Sequence, residues 1–363
     1  MRHDEAAKTF HQPASQEETT MKRITVGLDL AKSVFHVVGI DACGQHLLRK
    51  CLRRAQVSAW FAQQPPCRIG MEACSSAHYW ARTLKALGHE VKLVAPQHVK
   101  AFARGQKNDF NDAAAIAEAV NHASMHFVPV KSAAQLDLQA LQRLRSRLIR
   151  ERTGLSNQLR GLLAEHGIVL PRSLRVLRQR LPDVLEDADN ELSALLRRLL
   201  HLAWQHFLQV EDRVAELNRE LNGAVRQDEG CQLLLTIPGF GPVVASGFSV
   251  AVGDGRDFRR GRDVAAALGL VPRQHSTGGQ PKLLGISKRG NGVLRSHLIQ
   301  GARSVLMQAE GKSDPLCRWA LKIRAERGFN KATVALANKL ARIGWAVLRQ
   351  QTTYQAEHRL PTA

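Results

Sequence analysis

Four acidic residues stand where a folded chain could bring their carboxylates together. Asp29 and Glu72 each end an apolar, strand-like run, and Asp109 and Asp112 flank a predicted helix start at i, i+3 spacing. Acids at strand ends and on one face of a helix can converge on one point. Four carboxylates suit Mg²⁺, which binds oxygen ligands together with substrate phosphates. Two such ions can stabilise both the attacking and the leaving oxygen in phosphodiester chemistry.

A purely structural explanation of these acids stays open. Any α/β domain carries acids at strand ends, and Asp109 could cap the helix that Asp112 enters. The acids recur beside Gly27, Gly70 and Gly105 in a chain that is otherwise basic. Because of this recurrence, metal binding and a purely structural role explain the four acids equally well.

Ser276 is a candidate nucleophile in a basic loop. A serine that attacks phosphorus must lose its proton, and the phosphate charge must be neutralised. His275 is a conceivable proton acceptor. Composition alone does not favour Ser276, because Ser287 and Ser296 lie in comparably basic surroundings. The candidate phosphate-binding cations around it are Arg273, Lys288, Arg289 and Arg295.

The segment LTIPGFGPVVA, residues 235–245, predicts two helices joined by a tight glycine turn. Pro238, Gly239 and Gly241 allow close backbone approach, and N–H groups at the start of the second helix can hold a phosphate without reading its base. IPGFG is the usual helix-hairpin-helix signature and predicts nucleic-acid binding. The alternative is an ordinary glycine-rich turn between two helices.

Three further patterns narrow the function. His122 and His126 have i, i+4 spacing but no third ligand, so zinc is not predicted. The chain contains no GxxxxGK[ST] loop, which argues against an ATPase. Its six cysteines form no CxxC pair and the N-terminus has no apolar run, so we expect a cytosolic protein.

Charge is the most informative feature of the composition. The 363 residues include 52 Lys and Arg against 32 Asp and Glu, which gives a formal net charge of +20. This excess predicts a polyanionic partner, with nucleic acid ahead of a ribosome or an anionic membrane surface. No basic amphipathic helix has an aromatic apolar face, so a membrane partner is not expected. A hydrophobic content of 44% excludes a disordered or collagen-like chain.

The order of apolar runs predicts the elements that must position these groups. Residues 1–20 are polar and aperiodic and predict a disordered tail, and Met21 would make an equally sensible start. Strands then alternate with helices, which predicts an α/β domain over residues 21–131. Its predicted elements are a β-hairpin over Ile24–Ile40, helices over Val57–Gln63 and Ala77–Leu87, strands over Cys67–Glu72 and Glu90–Pro96, and a helix from about Asn111.

Residues 132–225 are rich in Leu, Arg, Gln and Glu, with apolar residues at i, i+3, i+4 and i+7. They predict long amphipathic helices that Pro171 and Pro182 interrupt. A helical hairpin or coiled-coil arm and a plain packed bundle fit this pattern equally well. Residues 226–350 predict a second, mainly helical domain that ends in a helix over Lys331–Leu348, and residues 351–363 predict a tail.

Five motifs in order carry a family resemblance. They are GLDLAK with Asp29, GMEACSSAHYW with Glu72, KNDFNDAAAIAEA with Asp109 and Asp112, TIPGFGPVVA, and GLVPRQHSTGG followed by ISKRGNGVLRSHLIQGAR. Together they resemble the DEDD transposases of the insertion-sequence family one-ten, in its eleven-eleven branch. The resemblance extends from about Met21 to about Arg349.

The resemblance implies a RuvC-like domain of RNase H fold, a coiled-coil arm, and a C-terminal transposase domain with a helix-hairpin-helix. Matched motif to motif, it implies that Asp29, Glu72, Asp109 and Asp112 bind Mg²⁺ and that Ser276 is the nucleophile. Family members resemble bridge-RNA-guided recombinases, in which a noncoding RNA pairs with donor and target DNA. A phosphoserine intermediate then leads to strand exchange. They assemble as tetramers, in which the acids and the serine come from different subunits.

Three functions fit these observations. The first is an RNA-guided serine recombinase that works in the cytoplasm with the nucleoid. The second is a metal-only RuvC-like nuclease, such as a junction resolvase, for which Ser276 is dispensable. The third is a noncatalytic nucleic-acid-binding protein, for which Asp29 and Glu72 are dispensable as well. The motifs and the charge together favour the first.

Overall fold

The computed structural model describes residues 24–356. The predicted tail over residues 1–20, the possible start at Met21 and the last seven residues of the predicted C-terminal tail therefore lie outside the described residues. The chain divides into two compact units, one that ends at Ser132 and one that begins at Ala133. Each unit has its own hydrophobic clusters.

A six-stranded sheet forms the centre of the first unit. In the order β3-β2-β1-β4-β5-β6, its strands are β1 (Thr25–Leu30), β2 (Val34–Ile40), β3 (His46–Arg53), β4 (Arg68–Glu72), β5 (Glu90–Val94) and β6 (Phe127–Val128). β1 pairs antiparallel with β2 and parallel with β4. The predicted hairpin is confirmed. The edge strand β3 escaped prediction because nearly all of its residues are exposed, so its sequence carries no period-2 pattern.

Helices cover both faces of this sheet. They are α1 (Val57–Ala62), α2 (Ala77–Ala86), α3 (Pro96–Val99) and α4 (Asp109–Asn121). Phe61 of α1 and Trp80 of α2 pack with Leu28 of β1 on one face. On the other face, α4 packs against Val38 and Ile40 of β2. Because side chains alternate along a strand, the residues next to Leu28 point to the α4 side.

The second unit is mainly helical, with one two-stranded sheet. Its elements are α5 (Ala133–Ala164), α6 (Leu174–Glu186), α7 (Ala194–Gln227), α8 (Glu229–Leu235), α9 (Pro242–Val252), α10 (Gly261–Ala267), β7 (Pro272–Gln274), β8 (Leu283–Ile286), α11 (Gly292–Met307), α12 (Pro315–Arg327) and α13 (Phe329–Gln350). The predicted C-terminal helix is confirmed as part of α13, which supplies many buried residues of the main cluster. In residues 24–356, no helix is both long and apolar enough to span a bilayer.

The long helices α5 and α7, of 32 and 34 residues, pack along each other. The Arg145 guanidinium of α5 donates a 2.6 Å hydrogen bond to Asn218 of α7. Pro171 lies in the break between α5 and α6, as predicted, but the predicted break at Pro182 is wrong because this proline lies inside α6. The buried Leu177 and Leu181 hold α6 in place, so the missing proline N–H does not end the helix.

Candidate active site and nucleic-acid interface

Asp29 and Glu72 lie next to each other at one edge of the sheet. β1 and β4 are parallel neighbours with Gly27 opposite Gly70 and Leu28 opposite Met71. Asp29 follows Leu28 and Glu72 follows Met71, so the two acids lie at the same level, Asp29 one residue before the end of β1 and Glu72 at the end of β4. Each lies two residues after a glycine and therefore on the face that α4 covers.

Two glycines allow α4 to lie close against these strands. A Cβ on Gly27 would overlap the carbonyl oxygen of Ala113, and a Cβ on Gly70 would collide with Val120. Asn108 is the N-cap of this helix, because its side chain accepts a hydrogen bond from the Asn111 N–H at 2.9 Å. The idea that Asp109 is the cap is therefore wrong.

Asp109 and Asp112 both lie in the first turn of α4. There they interact electrostatically with Asp29. Burial, followed by repulsion from Asp112 and Asp109, raises the pKa of Asp29 to about 6. Burial and repulsion from Asp112 also raise the pKa of Glu72, although Lys107 opposes this effect. The four predicted acids thus form one electrostatic cluster, built from three separate elements.

His36 belongs to this cluster and was missed by sequence reasoning. It lies directly opposite Asp29 in the β1–β2 pair, and its Nδ1 is 3.5 Å from Oδ2 of Asp109. The imidazole is mostly buried, packs edge-on against Phe110 and has no hydrogen bond at Nδ1. The only signal in the sequence was its position in the hairpin, two residues before the buried Val38.

The residue types in the cluster suit a divalent cation, but their side chains are not yet arranged around one. Within residues 24–356, no three His, Cys, Asp or Glu side chains hold their donor atoms ready for one ion. Hard carboxylate oxygens are nevertheless the donors that Mg²⁺ prefers. Burial is the main cause of the raised pKa of Asp29, and the repulsion from Asp112 and Asp109 that adds to it is what a bound cation would relieve. An ion at this site must draw the carboxylates together.

Ser276 lies in the second unit, in the predicted loop, which connects the paired strands β7 and β8. The His275 N–H donates to the Lys282 carbonyl oxygen at 2.9 Å. The Ser276 Oγ accepts hydrogen bonds from Gln274 Nε2 at 2.8 Å and from the Lys282 N–H at 3.3 Å. These bonds hold the exposed hydroxyl oxygen in place. They also engage its lone pairs, so attack on phosphorus requires that one of the two opens.

The predicted cations differ in whether their side chains already donate hydrogen bonds within the protein. Arg295 Nη1 donates to the carbonyl oxygens of Leu268 at 3.0 Å and Arg289 at 2.7 Å, so this guanidinium anchors the backbone. Lys288 has a φ of +56°, a left-handed conformation that costs energy outside glycine. Arg273 is exposed on β7. Arg273, Lys288 and Arg289 are the better placed candidates for phosphate contact.

The IPGFG segment forms the turn between α8 and α9. Gly239 has a φ of +84°, and a Cβ there would press on the Gly301 backbone of α11, so close packing explains this glycine. Pro238 lies in the same turn. Gly241 is the N-cap of α9 and provides no side-chain cap. The predicted helix, turn and helix are present, and their use in binding nucleic acid stays a prediction.

Two histidines and two cysteines of the first unit are poor candidates for chemistry. α4 ends before His122, so His122 and His126 do not share a helical face. The helix assumed for these two residues is therefore wrong. Burial raises the pKa of Cys67 to about 11. Burial and the nearby Glu72 also raise the pKa of Cys74. These two thiols therefore stay protonated at neutral pH and are poor nucleophiles.

Comparison with known proteins decides the family. Residues 26–168 match the transposase model for the DEDD domain of IS110 elements, and residues 231–315 match the model described as transposase IS116/IS110/IS902 family. The chain is 48% identical to a probable family 20 transposase of Pseudomonas aeruginosa, over 91% of this chain and 98% of the relative. This chain belongs to the IS116/IS110/IS902 transposase family.

Two further relatives of this transposase come from named insertion sequences. It is 41% identical to the transposase for element IS1111A of Coxiella burnetii, over 93% of each chain. It is 43% identical to the transposase for element IS1328 of Yersinia enterocolitica, over 91% of this chain and 98% of the relative. The predicted family is confirmed, and the sheet of the first unit fits a RuvC-like domain. The two matched segments include every predicted site residue.

Proposed function

We propose that this transposase cuts and exchanges DNA strands with two groups of residues, a Mg²⁺-binding acid cluster and the nucleophile Ser276. The observation that carries the proposal is the crowding of Asp29, Glu72, Asp109 and Asp112 in a protein of net charge +20. A role in holding a cation explains why the chain tolerates their repulsion.

The acids and the serine have separate tasks. Asp29, Glu72, Asp109 and Asp112 would hold Mg²⁺, which neutralises charge on a DNA phosphate. The Ser276 hydroxyl loses its proton as its Oγ bonds to phosphorus and a P–O bond of the DNA breaks, and the leaving DNA oxygen takes up one proton. The Oγ must first release the hydrogen bond from Gln274 or from the Lys282 N–H. Attack by a second DNA hydroxyl on the phosphoserine then joins the new strands and restores the serine.

A bridge RNA is the proposed source of sequence specificity. Base pairing between such an RNA and both DNA partners leaves the protein to contact backbone and shape. The large positive charge and an aromatic content of only 5% agree with this division of labour. The α8–α9 turn is proposed as a helix-hairpin-helix that holds phosphate at the uncapped start of α9. Action on DNA places the protein in the cytoplasm with the nucleoid.

The proposed assembly is a tetramer, a dimer of dimers. The paired helices α5 and α7 are proposed to form the coiled-coil arm that joins chains. Leu195, Leu199 and Leu202 of α7 support this, since they are 58%, 50% and 66% exposed at i, i+4 and i+7 spacing. Apolar residues in such a stripe suit a second helix better than they suit water.

A trapping assay tests the proposed chemistry. Purified protein is mixed with Mg²⁺, RNA transcribed from the flank of the element, and donor and target DNA, and is scored for a denaturant-resistant protein–DNA adduct. Ser276→Ala should form no adduct, whereas the matched control Ser296→Ala, an exposed serine of α11, should behave like the wild type. Asp29→Asn should also form none.

The outcomes separate the three functions. An adduct that needs both RNA and Ser276 supports the RNA-guided serine recombinase. Cleaved DNA without an adduct, also in Ser276→Ala, would identify a metal-only nuclease. DNA binding without cleavage by the wild type, and unaffected by Asp29→Asn, would identify an architectural protein.

A further inference from the structure

A long groove in the second unit is lined by none of the predicted site residues. Its volume is about 2610 Å³, and β8, α12 and α13 provide its walls. The lining residues of α13 extend from Asn330 to Gln350. At a rise of about 1.5 Å per residue, twenty steps make this wall roughly 30 Å long. The groove can therefore hold an extended ligand rather than a small molecule.

Cations outnumber acids in the lining of the groove. In the part of the chain that the structure describes, five of these cations take part in no ion pair: Arg318, Arg327, Lys331, Lys339 and Arg342. The two acids in the lining are already engaged. Asp314 accepts a 2.9 Å hydrogen bond from the Cys317 N–H at the start of α12, and Glu326 lies 4.0 Å from Lys322. The groove is thus an uncompensated positive surface.

The cations near the middle of the groove repel each other. Lys339 is half-buried, and burial together with the positive charge of Arg342 lowers its pKa. The Lys339 Nζ lies 4.2 Å from the ring centroid of Trp319. This cation–π contact stabilises the ammonium on the side that faces the ring. An anion in the groove would supply the missing opposite charge.

Apolar surface lies beside these cations. Leu283 and Leu284 of β8 line the groove and are 65% and 43% exposed, and Trp319 of α12 lines it as well. A single nucleic-acid strand presents both a charged backbone and flat apolar bases, and bases stack on aromatic side chains. A duplex hides its bases and offers mainly phosphates. The combination of charge and apolar surface therefore favours a single strand.

We propose that this groove binds a single-stranded segment of nucleic acid. Phosphates contact Lys331, Lys339 and Arg342, while bases pack on Trp319 and Leu283. The inference rests on the proposed function, because the β7–β8 hairpin that carries Ser276 also forms one wall of the groove. A strand held here is bound by the same hairpin that presents the nucleophile.

Binding of labelled oligonucleotides to the full-length protein tests the groove. Fluorescence anisotropy is measured in EDTA, over a range of salt concentrations, with a single-stranded DNA, an RNA of the same sequence, and the corresponding DNA duplex. The groove variant is Lys339→Gln with Arg342→Gln. The matched control is Arg213→Gln with Arg219→Gln, which removes the same charge from two exposed positions of α7.

Each phosphate contact on a single strand contributes about 0.7 to the slope of log K against log salt. The groove variant should therefore lose about 1.4 from this slope, which is roughly 25-fold in affinity at 0.1 M salt relative to 1 M. The control and the duplex should change far less. The single strand that loses more affinity, DNA or RNA, identifies the source of the bound segment.

Two additional measurements keep the result interpretable. Arg318→Gln with Lys331→Gln changes two exposed groove residues and should weaken single-strand binding without affecting the fold, as checked by circular dichroism. A photoreactive single strand should crosslink to the peptide that contains Trp319.

Equal losses in groove and control variants, or crosslinks confined to other peptides, would overturn the proposal. So would unchanged binding with an altered molecular mass in sedimentation, which would make the groove a protein interface. Because the assay contains no divalent metal, failure of the proposed cleavage chemistry would leave this binding result unaffected.

Discussion

Replacing Asp29 with asparagine should stabilise the first unit in the absence of metal, although it removes a proposed metal ligand. Burial and repulsion from Asp112 and Asp109 raise the pKa of Asp29 to about 6. An aspartate in the unfolded chain titrates at about 3.9. The folded protein therefore favours the protonated form, and ionised Asp29 destabilises it at neutral pH.

The magnitude follows from the difference between the two pKa values. A pKa raised by about 2 lowers the free energy of unfolding by roughly 3 kcal/mol when the group is fully shielded from solvent. Asp29 is only half-buried, so solvent screening should reduce this to about 1 to 1.5 kcal/mol. One kcal/mol moves the melting temperature of a domain of this size by about 4 °C or more. The neutral amide of asparagine removes the penalty at similar volume.

The stability gained by Asp29→Asn should increase with pH. Below about pH 3.9, Asp29 is protonated in both states and contributes no penalty. The penalty grows between the two pKa values and is complete above about pH 6. Asp29→Asn should therefore gain most stability at pH 8 and roughly half as much at pH 5.

The assay is thermal and urea unfolding of the full-length protein in EDTA at pH 8 and pH 5. The matched control is Glu118→Gln, which removes one negative charge from α4 outside the cluster, where Glu118 lies 3.6 Å from Arg104. This control should show no gain. Lower stability of Asp29→Asn at pH 8, or an equal gain in Glu118→Gln, would refute the idea that crowded carboxylates destabilise the unit.

Three other outcomes are expected. Mg²⁺ should raise the melting temperature of the wild type but not of Asp29→Asn, and equal shifts in both would argue against a metal at this cluster. Gly27→Ala should destabilise the first unit by about 3 kcal/mol in urea unfolding, since its Cβ overlaps the Ala113 carbonyl oxygen, whereas Gly154→Ala, with open space, should gain about 0.5 to 1 kcal/mol. Arg197→Ala should cost about 2 to 3 kcal/mol, because its guanidinium donates hydrogen bonds to the last turn of α6 and to the connection that follows it. Full stability in this variant would contradict that role.

Much of the fold could be predicted because the signals are local. Two consecutive apolar runs predicted the β1–β2 hairpin, and the glycines of the IPGFG segment predicted a turn between two helices. The break at Pro182 was wrong because a proline weakens a helix locally, whereas the packing of Leu177 and Leu181 is a tertiary effect. Local propensity is easily overridden by burial.

In the candidate site, too, some features follow from the sequence and others only from tertiary packing. Residue types, spacing and charge were enough to select the four acids and to indicate a nucleic-acid partner. Only the tertiary structure decided that Asp29 and Glu72 share a sheet edge and that α4 lies close enough to add its first-turn acids. His36 and the basic groove were not predicted at all, because their residues come together through strand register and helix packing between segments far apart in the chain. Such long-range contacts leave no period or motif in the sequence, so only the folded chain reveals them.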